Sequence, residues 1–407
     1  NDPNFEGSME ELGNLATSCD LEVAGVVKQS LKIPNRKYYI GPGKVEEIIP
    51  LIDLTGADIL VFNNELTPSQ LRNIEKKLEI NILDRTALIL EIFAQRAKTR
   101  EAWLQVEVAH FQYLLPRLIG ANEFLGRQSG GVGTKNKGLG EKKLELDRRQ
   151  IEDKISELRK ELELLSRERR IQRGKRSRSE LPSVALVGYT NAGKSTLMNA
   201  MIELFHEDET KKVVEENMLF ATLDTSVRNI TLPDNKAFLL SDTVGFISQL
   251  PHNLIKAFRS TLDEVRESDL LLHVVDASNP DYMKQIEVTE ETLKQIGADN
   301  IPVIYVYNKA DLTSIDIPFA NAEKVYVSAK KRIGIDLLLE LISDKIFDDY
   351  VECTMLIPFD QGNIVSYLNK EANVQEVNYT GNGTVMTLEC RPSDYKRYQN
   401  YVFNNRR

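Results

Sequence analysis

Residues 188–195 read GYTNAGKS, directly after the apolar run 183–187 and directly before a helical pattern that opens at Ser195. No other stretch limits the fold so strongly. A strand, a glycine-rich turn and a helix in this order form a phosphate-binding loop. Gly188 and Gly193 let the backbone curl without a Cβ in the way, so the N–H groups of Tyr189, Thr190, Asn191 and Ala192, with those of the helix start through Thr196, can converge on phosphate oxygens. Lys194 would reach the β- and γ-phosphates, and Ser195 would ligate Mg²⁺.

A single hydrophobic core does not extend over 407 residues, so several domains are expected. No apolar run is long enough to cross a bilayer, and no secretion signal opens the chain, which predicts neither a membrane span nor export. Cys19, Cys353 and Cys390 lie far apart and are odd in number, which fits a reducing compartment better than a disulfide framework. The four histidines form no ligand pair and read as structural. The net charge of −9 is unevenly spread: between Arg127 and Ser179 there are seventeen Lys/Arg against nine Asp/Glu. A basic segment on an acidic body is a localised footprint for an anionic partner.

Up to about residue 85, strand and helix signals alternate over 21–29, 44–52, 58–62, 68–78 and 80–83, which predicts a small α/β domain with a mostly parallel sheet. Gly41-Pro-Gly-Lys44 reads as a turn capping a helix rather than a second phosphate loop. A continuous helical pattern covers 86–118 and a second covers 141–173. Ile151, Ile155, Leu158, Leu162 and Leu165 repeat at the 4-3 spacing of a coiled-coil seam. Between them the glycine-rich tip 121–140, with Arg127, Lys135 and Lys137, cannot bury enough apolar surface to fold alone, and it suits close approach to RNA phosphates. The expected division is 1–85, an N-terminal α/β domain; 86–180, a helical hairpin with its basic loop and linker; 181–348, a P-loop domain; and 349–407, a small α+β domain. The fold class is thus α/β and multidomain.

The third of these carries the remaining nucleotide motifs, each after a strand. Asp242-Thr-Val-Gly-Phe246 supplies Asp242 for Mg²⁺ and the Gly245 N–H for the γ-phosphate. Asn308-Lys309-Ala-Asp311 supplies a carboxylate that accepts from guanine N1–H and N2, whereas adenine would leave it unpaired. Ser328-Ala329-Lys330 would close over the guanine O6. Phe220-Ala-Thr-Leu-Asp-Thr225 occupies the first switch, with Thr222 for the Mg²⁺ shell and Thr225 as the competitor. Asn191 either braces its own loop or helps hold a monovalent cation, K⁺, beside the β/γ bridge. Phe246 stands where many GTPases carry a water-orienting Gln, so slow intrinsic hydrolysis is expected.

These residues, with 39–47, 95–100, Leu114-Leu-Pro-Arg117, Gly130-Gly-Val-Gly133 and Leu144-Glu-Leu-Asp-Arg-Arg149, resemble the HflX family of translation-associated GTPases over nearly the whole chain. The resemblance implies a cytoplasmic, monomeric GTPase that cycles between GTP and GDP. It also implies a ribosome-binding protein that places the hairpin tip near the peptidyl-transferase centre of the large subunit and splits stalled or inactive ribosomes. A role in ribosome assembly or RNA modification is the alternative. Lys142, Lys143, Arg148 and Arg149 join Arg127, Lys135 and Lys137 as expected rRNA contacts. Two positions depart from the family pattern: Lys142 replaces a usual Thr or Ser, and Thr225 replaces a common Pro.

Overall fold

The computed structural model describes residues 5–128, 137–177, 181–205, 219–220, 223, 225–249 and 259–403. The chain divides into two compact units. One comprises Asn1–Lys175, Glu216–Asp224 and Val244–Asp263; the other comprises Arg176–Glu215, Thr225–Thr243 and Glu264–Arg407.

The first unit opens with α1 (Phe5–Ser18) and α2 (Pro42–Thr55). A parallel pair follows, β1 (Ile59–Phe62) and β2 (Asn81–Asp84), joined through α3 (Pro68–Leu78). Thr67 caps α3 with a full capping box: Gln70 N–H donates to Thr67 Oγ1, and the Gln70 side chain reaches back to the Thr67 N–H. Gly41 is the N-cap of α2, so the 41–44 stretch is a helix start.

Neither the strand expected at 21–29 nor the single helix expected over 86–118 forms. Residues 21–29 carry no strand: Val23 and Val26 are exposed, while Val27 packs on the core. Apolar alternation becomes a strand only where a neighbour completes its ladder, and among the described residues β1 pairs only with β2. The pattern over 86–118 is also not one helix. It breaks into α4 (Arg85–Arg96) and α5 (Arg100–Gln128), because Thr99 caps the second by accepting from Ala102 N–H at 3.1 Å.

α6 (Lys137–Ser177) runs with α5, and Leu104, Val108 and Phe111 meet Leu158, Leu162 and Leu165, three of the five residues of the expected seam. Asp84 anchors the hairpin. This wholly buried carboxylate caps α4 at Ala87 N–H (2.9 Å) and accepts from Leu66 N–H (3.1 Å), Tyr113 OH (2.9 Å) and Arg117 Nη2 (2.8 Å). Arg117 also stacks 3.3 Å over the Tyr113 ring.

The second unit is built on a seven-stranded sheet ordered β4-β5-β3-β6-β7-β9-β8: β3 (Ser183–Gly188), β4 (Ser226–Thr231), β5 (Ala237–Asp242), β6 (Leu270–Asp276), β7 (Val303–Asn308), β8 (Phe319–Ala320) and β9 (Lys324–Tyr326). The five central strands are parallel and the two edges antiparallel. β3 is buried on both faces, which is why it reads as a continuous apolar run. The helices α7 (Lys194–Phe205), α8 (Arg259–Arg266), α9 (Tyr282–Ile296) and α10 (Ile335–Ile346) alternate with these strands along the chain. The C-terminal sheet, β10 (Val351–Ile357), β11 (Asn373–Thr380) and β12 (Gly383–Cys390), is antiparallel with β12 central, and α11 (Gly362–Glu371) and α12 (Pro392–Arg397) accompany it. Gly381 and Asn382 form the two-residue hairpin that joins β11 to β12.

Candidate nucleotide site

Crevices at the carboxyl ends of parallel strands are where open α/β sheets bind ligands, and the loop after central β3 lies there. Both loop glycines are required. Gly188 has φ +144°, and a Cβ there would lie 2.2 Å from the Val274 carbonyl oxygen; Gly193 has φ +92°, and its Cβ would lie 2.3 Å from Asn308 Nδ2. Every larger residue is excluded on both counts.

Hydrogen bonds lock the loop from several directions. Lys194 Nζ donates to the carbonyls of Tyr189 (2.9 Å) and Gly188 (3.2 Å). Asn308 Nδ2 donates to Ala192 O at 2.9 Å, while Asn308 Oδ1 accepts from Ala329 N–H at 3.0 Å, so one buried amide joins two motifs. Lys309 Nζ donates to Asn191 O (2.8 Å) and to Asp276 Oδ2 (2.7 Å). Asn191 itself is exposed at φ +60°, and its carboxamide bonds to nothing among the described residues. Burial pushes the Lys194 ammonium down to about 8, with Asp242 opposing. Anionic phosphate oxygens would reverse that push.

Ser195 Oγ donates to Asp242 Oδ2 at 2.6 Å. A hydroxyl and a carboxylate side by side are hard oxygen donors, the set that suits Mg²⁺, and the residues present fit that ion. At the base end, Ser328 first and Lys331 second hold the Asp311 carboxyl below its ordinary range; Lys331 Nζ lies 3.0 Å from Asp311 Oδ2. An ionised Asp311 is acceptor-only, as a guanine edge requires.

The second unit brings together residues 188–196, Asp242, Asn308, Lys309, Asp311, Ser328, Ala329 and Lys330. Phe220, Gly245 and Phe246 belong to the first unit, where all three are buried. There Phe220 packs edge-on to Phe93 at 4.6 Å, Leu219 N–H donates to Ser18 Oγ (3.2 Å), and Arg85 Nη2 donates to Ser248 O (3.0 Å). Thr222 lies outside the described residues, as do Lys135 and the side chains of Arg127, Lys137, Lys142 and Lys143. Arg148 pairs with Glu152 one helical turn away. Sequence reasoning missed Asp276 and Lys331. Asp276 ends an apolar strand beside the Asn308 strand, and comparing strand ends would have found it.

Beneath the loop, β6 places His273 between Val187 and Tyr305. It is buried, its Nδ1 bonds to nothing among the described residues, and its ring lies 5.2 Å from that of Tyr305. Burial, helped by the Lys194 charge, pushes it down to about 3. A base depressed in the fold destabilises once the unfolded chain binds the proton. Stability from this group is therefore full above its ordinary value of 6.5 and falls by about 1.4 kcal/mol per pH unit on the way to 3. His273→Gln should flatten the melting-temperature profile between pH 6.5 and 4, as read by nucleotide-free thermal melts; a profile as steep as the parent's would refute this.

Three stretches match described families: residues 6–94 match GTP-binding GTPase N-terminal, 96–176 match GTP-binding GTPase Middle Region, and 183–309 match 50S ribosome-binding GTPase. A GTPase HflX from Caldanaerobacter subterraneus subsp. tengcongensis is 42% identical over 404 residues, which are 99% of this chain and 92% of that protein. The chain belongs to the GTPase HflX family. The Escherichia coli GTPase HflX is 38% identical over 88% of this chain and 83% of its own length. Among solved structures, a GTP-binding protein from Sulfolobus solfataricus in complex with GDP is 26% identical, with TM-score 0.45, over 84% of this chain and 96% of that one. With this membership the fold class expected above, multidomain α/β with a P-loop GTPase domain, stands. Among the described residues no helix is long and apolar enough to cross a membrane.

Proposed function

We propose that this HflX-family chain is a Mg²⁺-dependent GTPase whose GTP form binds the ribosome and separates stalled or inactive ribosomes into subunits, with hydrolysis permitting release. The observation that carries the reading is the junction at Asn308, which ties the phosphate loop to the 328–330 loop and leaves Asp311 beside it as an ionised acceptor. The family description 50S ribosome-binding GTPase supports the partner.

In this reading the N–H groups of residues 189–196 hold the phosphates, and Lys194 turns from its loop carbonyls to the β/γ oxygens. Ser195, Asp242 and Thr222 would hold Mg²⁺, which neutralises charge on the β- and γ-oxygens. Phe246 offers no donor or acceptor to the attacking water, so acceleration falls to the bound ribosome. The carboxamide of Asn191, not used in bracing its loop, is available to a K⁺ ion. The basic tip and α6 would meet large-subunit rRNA near the peptidyl-transferase centre through Arg127, Lys135, Lys137, Lys142, Lys143, Arg148 and Arg149. The chain acts as a cytoplasmic monomer.

Sucrose gradients of intact ribosomes test this: GTP plus protein should raise free subunits, and Arg127→Ala/Lys135→Ala/Lys137→Ala should bind more weakly with a flatter salt dependence. Multiple-turnover rates in matched K⁺ and Na⁺ buffers, with and without ribosomes, complete the test. Unchanged subunit peaks return the chain to ribosome assembly or RNA modification; rates indifferent to ribosomes remove the stimulation, and equal rates in the two salts remove K⁺.

A further inference from the structure

Carbonyls along the phosphate loop find partners among the described residues. Gly188 and Tyr189 accept from Lys194, Asn191 accepts from Lys309, and Ala192 accepts from Asn308. Thr190 stands out in this set. Its residue is 6% exposed, its Oγ1 is buried, and that hydroxyl has no hydrogen-bond partner among the described residues. Buried hydroxyls are nearly always satisfied, so this open one points to a partner that arrives with the ligand.

The position says which part of the ligand. Lys194 Nζ lies 2.9 Å from the Tyr189 carbonyl, the peptide that continues into Thr190. A phosphate-loop lysine meets the β- and γ-phosphates, so the residue bonded to that peptide stands by the β/γ end. Asn191 then turns the chain away at φ +60°, its carbonyl held by Lys309.

We propose that the Thr190 hydroxyl donates a hydrogen bond to a γ-phosphate oxygen and is a catalytic residue of GTP hydrolysis, an inference that rests on the GTPase reading above. The water oxygen bonds to the γ-phosphorus, the bond to the β–γ bridging oxygen breaks, and GTP and water become GDP and inorganic phosphate. Thr190 keeps its proton throughout. Charge in this transition state spreads over the equatorial oxygens, and a donor fixed in the folded loop stabilises it without reorganisation.

Thr190→Val removes the hydroxyl and keeps shape and β-branching, while Thr190→Ser keeps the hydroxyl. The valine variant should lose about 10- to 100-fold in kcat and a similar factor in affinity for GDP with aluminium fluoride, a mimic of the transferring phosphoryl group. Its affinity for GDP, which lacks the γ-phosphate, should stay within about threefold, and the serine variant should hold parent values. Parent-like kcat and aluminium fluoride binding in the valine variant overturn the proposal. So does equal loss of GDP affinity and kcat, which would mark Thr190 as a brace of the loop. A parent protein that does not hydrolyse GTP refutes the GTPase reading, and the ratio of aluminium fluoride to GDP binding still decides the contact.

Discussion

Asp84→Ala should cost about 3–5 kcal/mol, the scale for removing one partner of a buried ion pair. Asp84 is wholly buried and satisfies four donors: the N–H groups of Leu66 and Ala87, the Tyr113 hydroxyl and Arg117 Nη2. Removing it strands the Arg117 guanidinium and uncaps α4 in one step. Denaturant titration of the full chain should show an early transition belonging to the first unit, with GDP binding retained by the second. Arg117→Leu on that background should recover part of the loss, because it removes the stranded charge. A single variant as stable as the parent, or a double variant with simple addition of losses, would show that the network does not anchor the hairpin.

The other large effect is expected at the base. Asp311→Asn should lower GDP affinity by about a hundredfold or more, since guanine N1–H and N2 would meet an amide that also donates. Xanthosine diphosphate, which presents a carbonyl where guanine has its amino group, should gain in turn. The carboxylate is poised for the wild-type preference, held below its ordinary range by Ser328 and Lys331. Competition binding of the two diphosphates measures the switch; unchanged guanine selectivity would remove Asp311 from base recognition and transfer that role to the 328–330 loop.

What the amino-acid sequence determined by itself is what short windows determine. The glycines at 188 and 193, the capping box at Thr67, the 4-3 repeat from Ile151 to Leu165 and the Gly381-Asn382 hairpin are each constrained by backbone sterics, local hydrogen bonds or a repeat along one helix. Nucleotide motifs were legible for the same reason, because each is a loop whose chemistry is confined to a few consecutive residues. Tertiary structure decided whatever depends on residues distant in the chain. A helical pattern broke at Thr99, whose cap outweighed the continuity of the pattern, and 21–29 stayed without a strand for want of a ladder. The same holds for Asp84 with Arg117, Lys309 with Asp276, and Asn308 with both Ala192 and Ala329. Asp84 and Asn308 are polar groups that burial obliges to find partners, and Lys309 and Asp276 are half-buried. Which partner each one finds is a property of strand order and helix packing, and strand order is set by long-range burial that no local window contains.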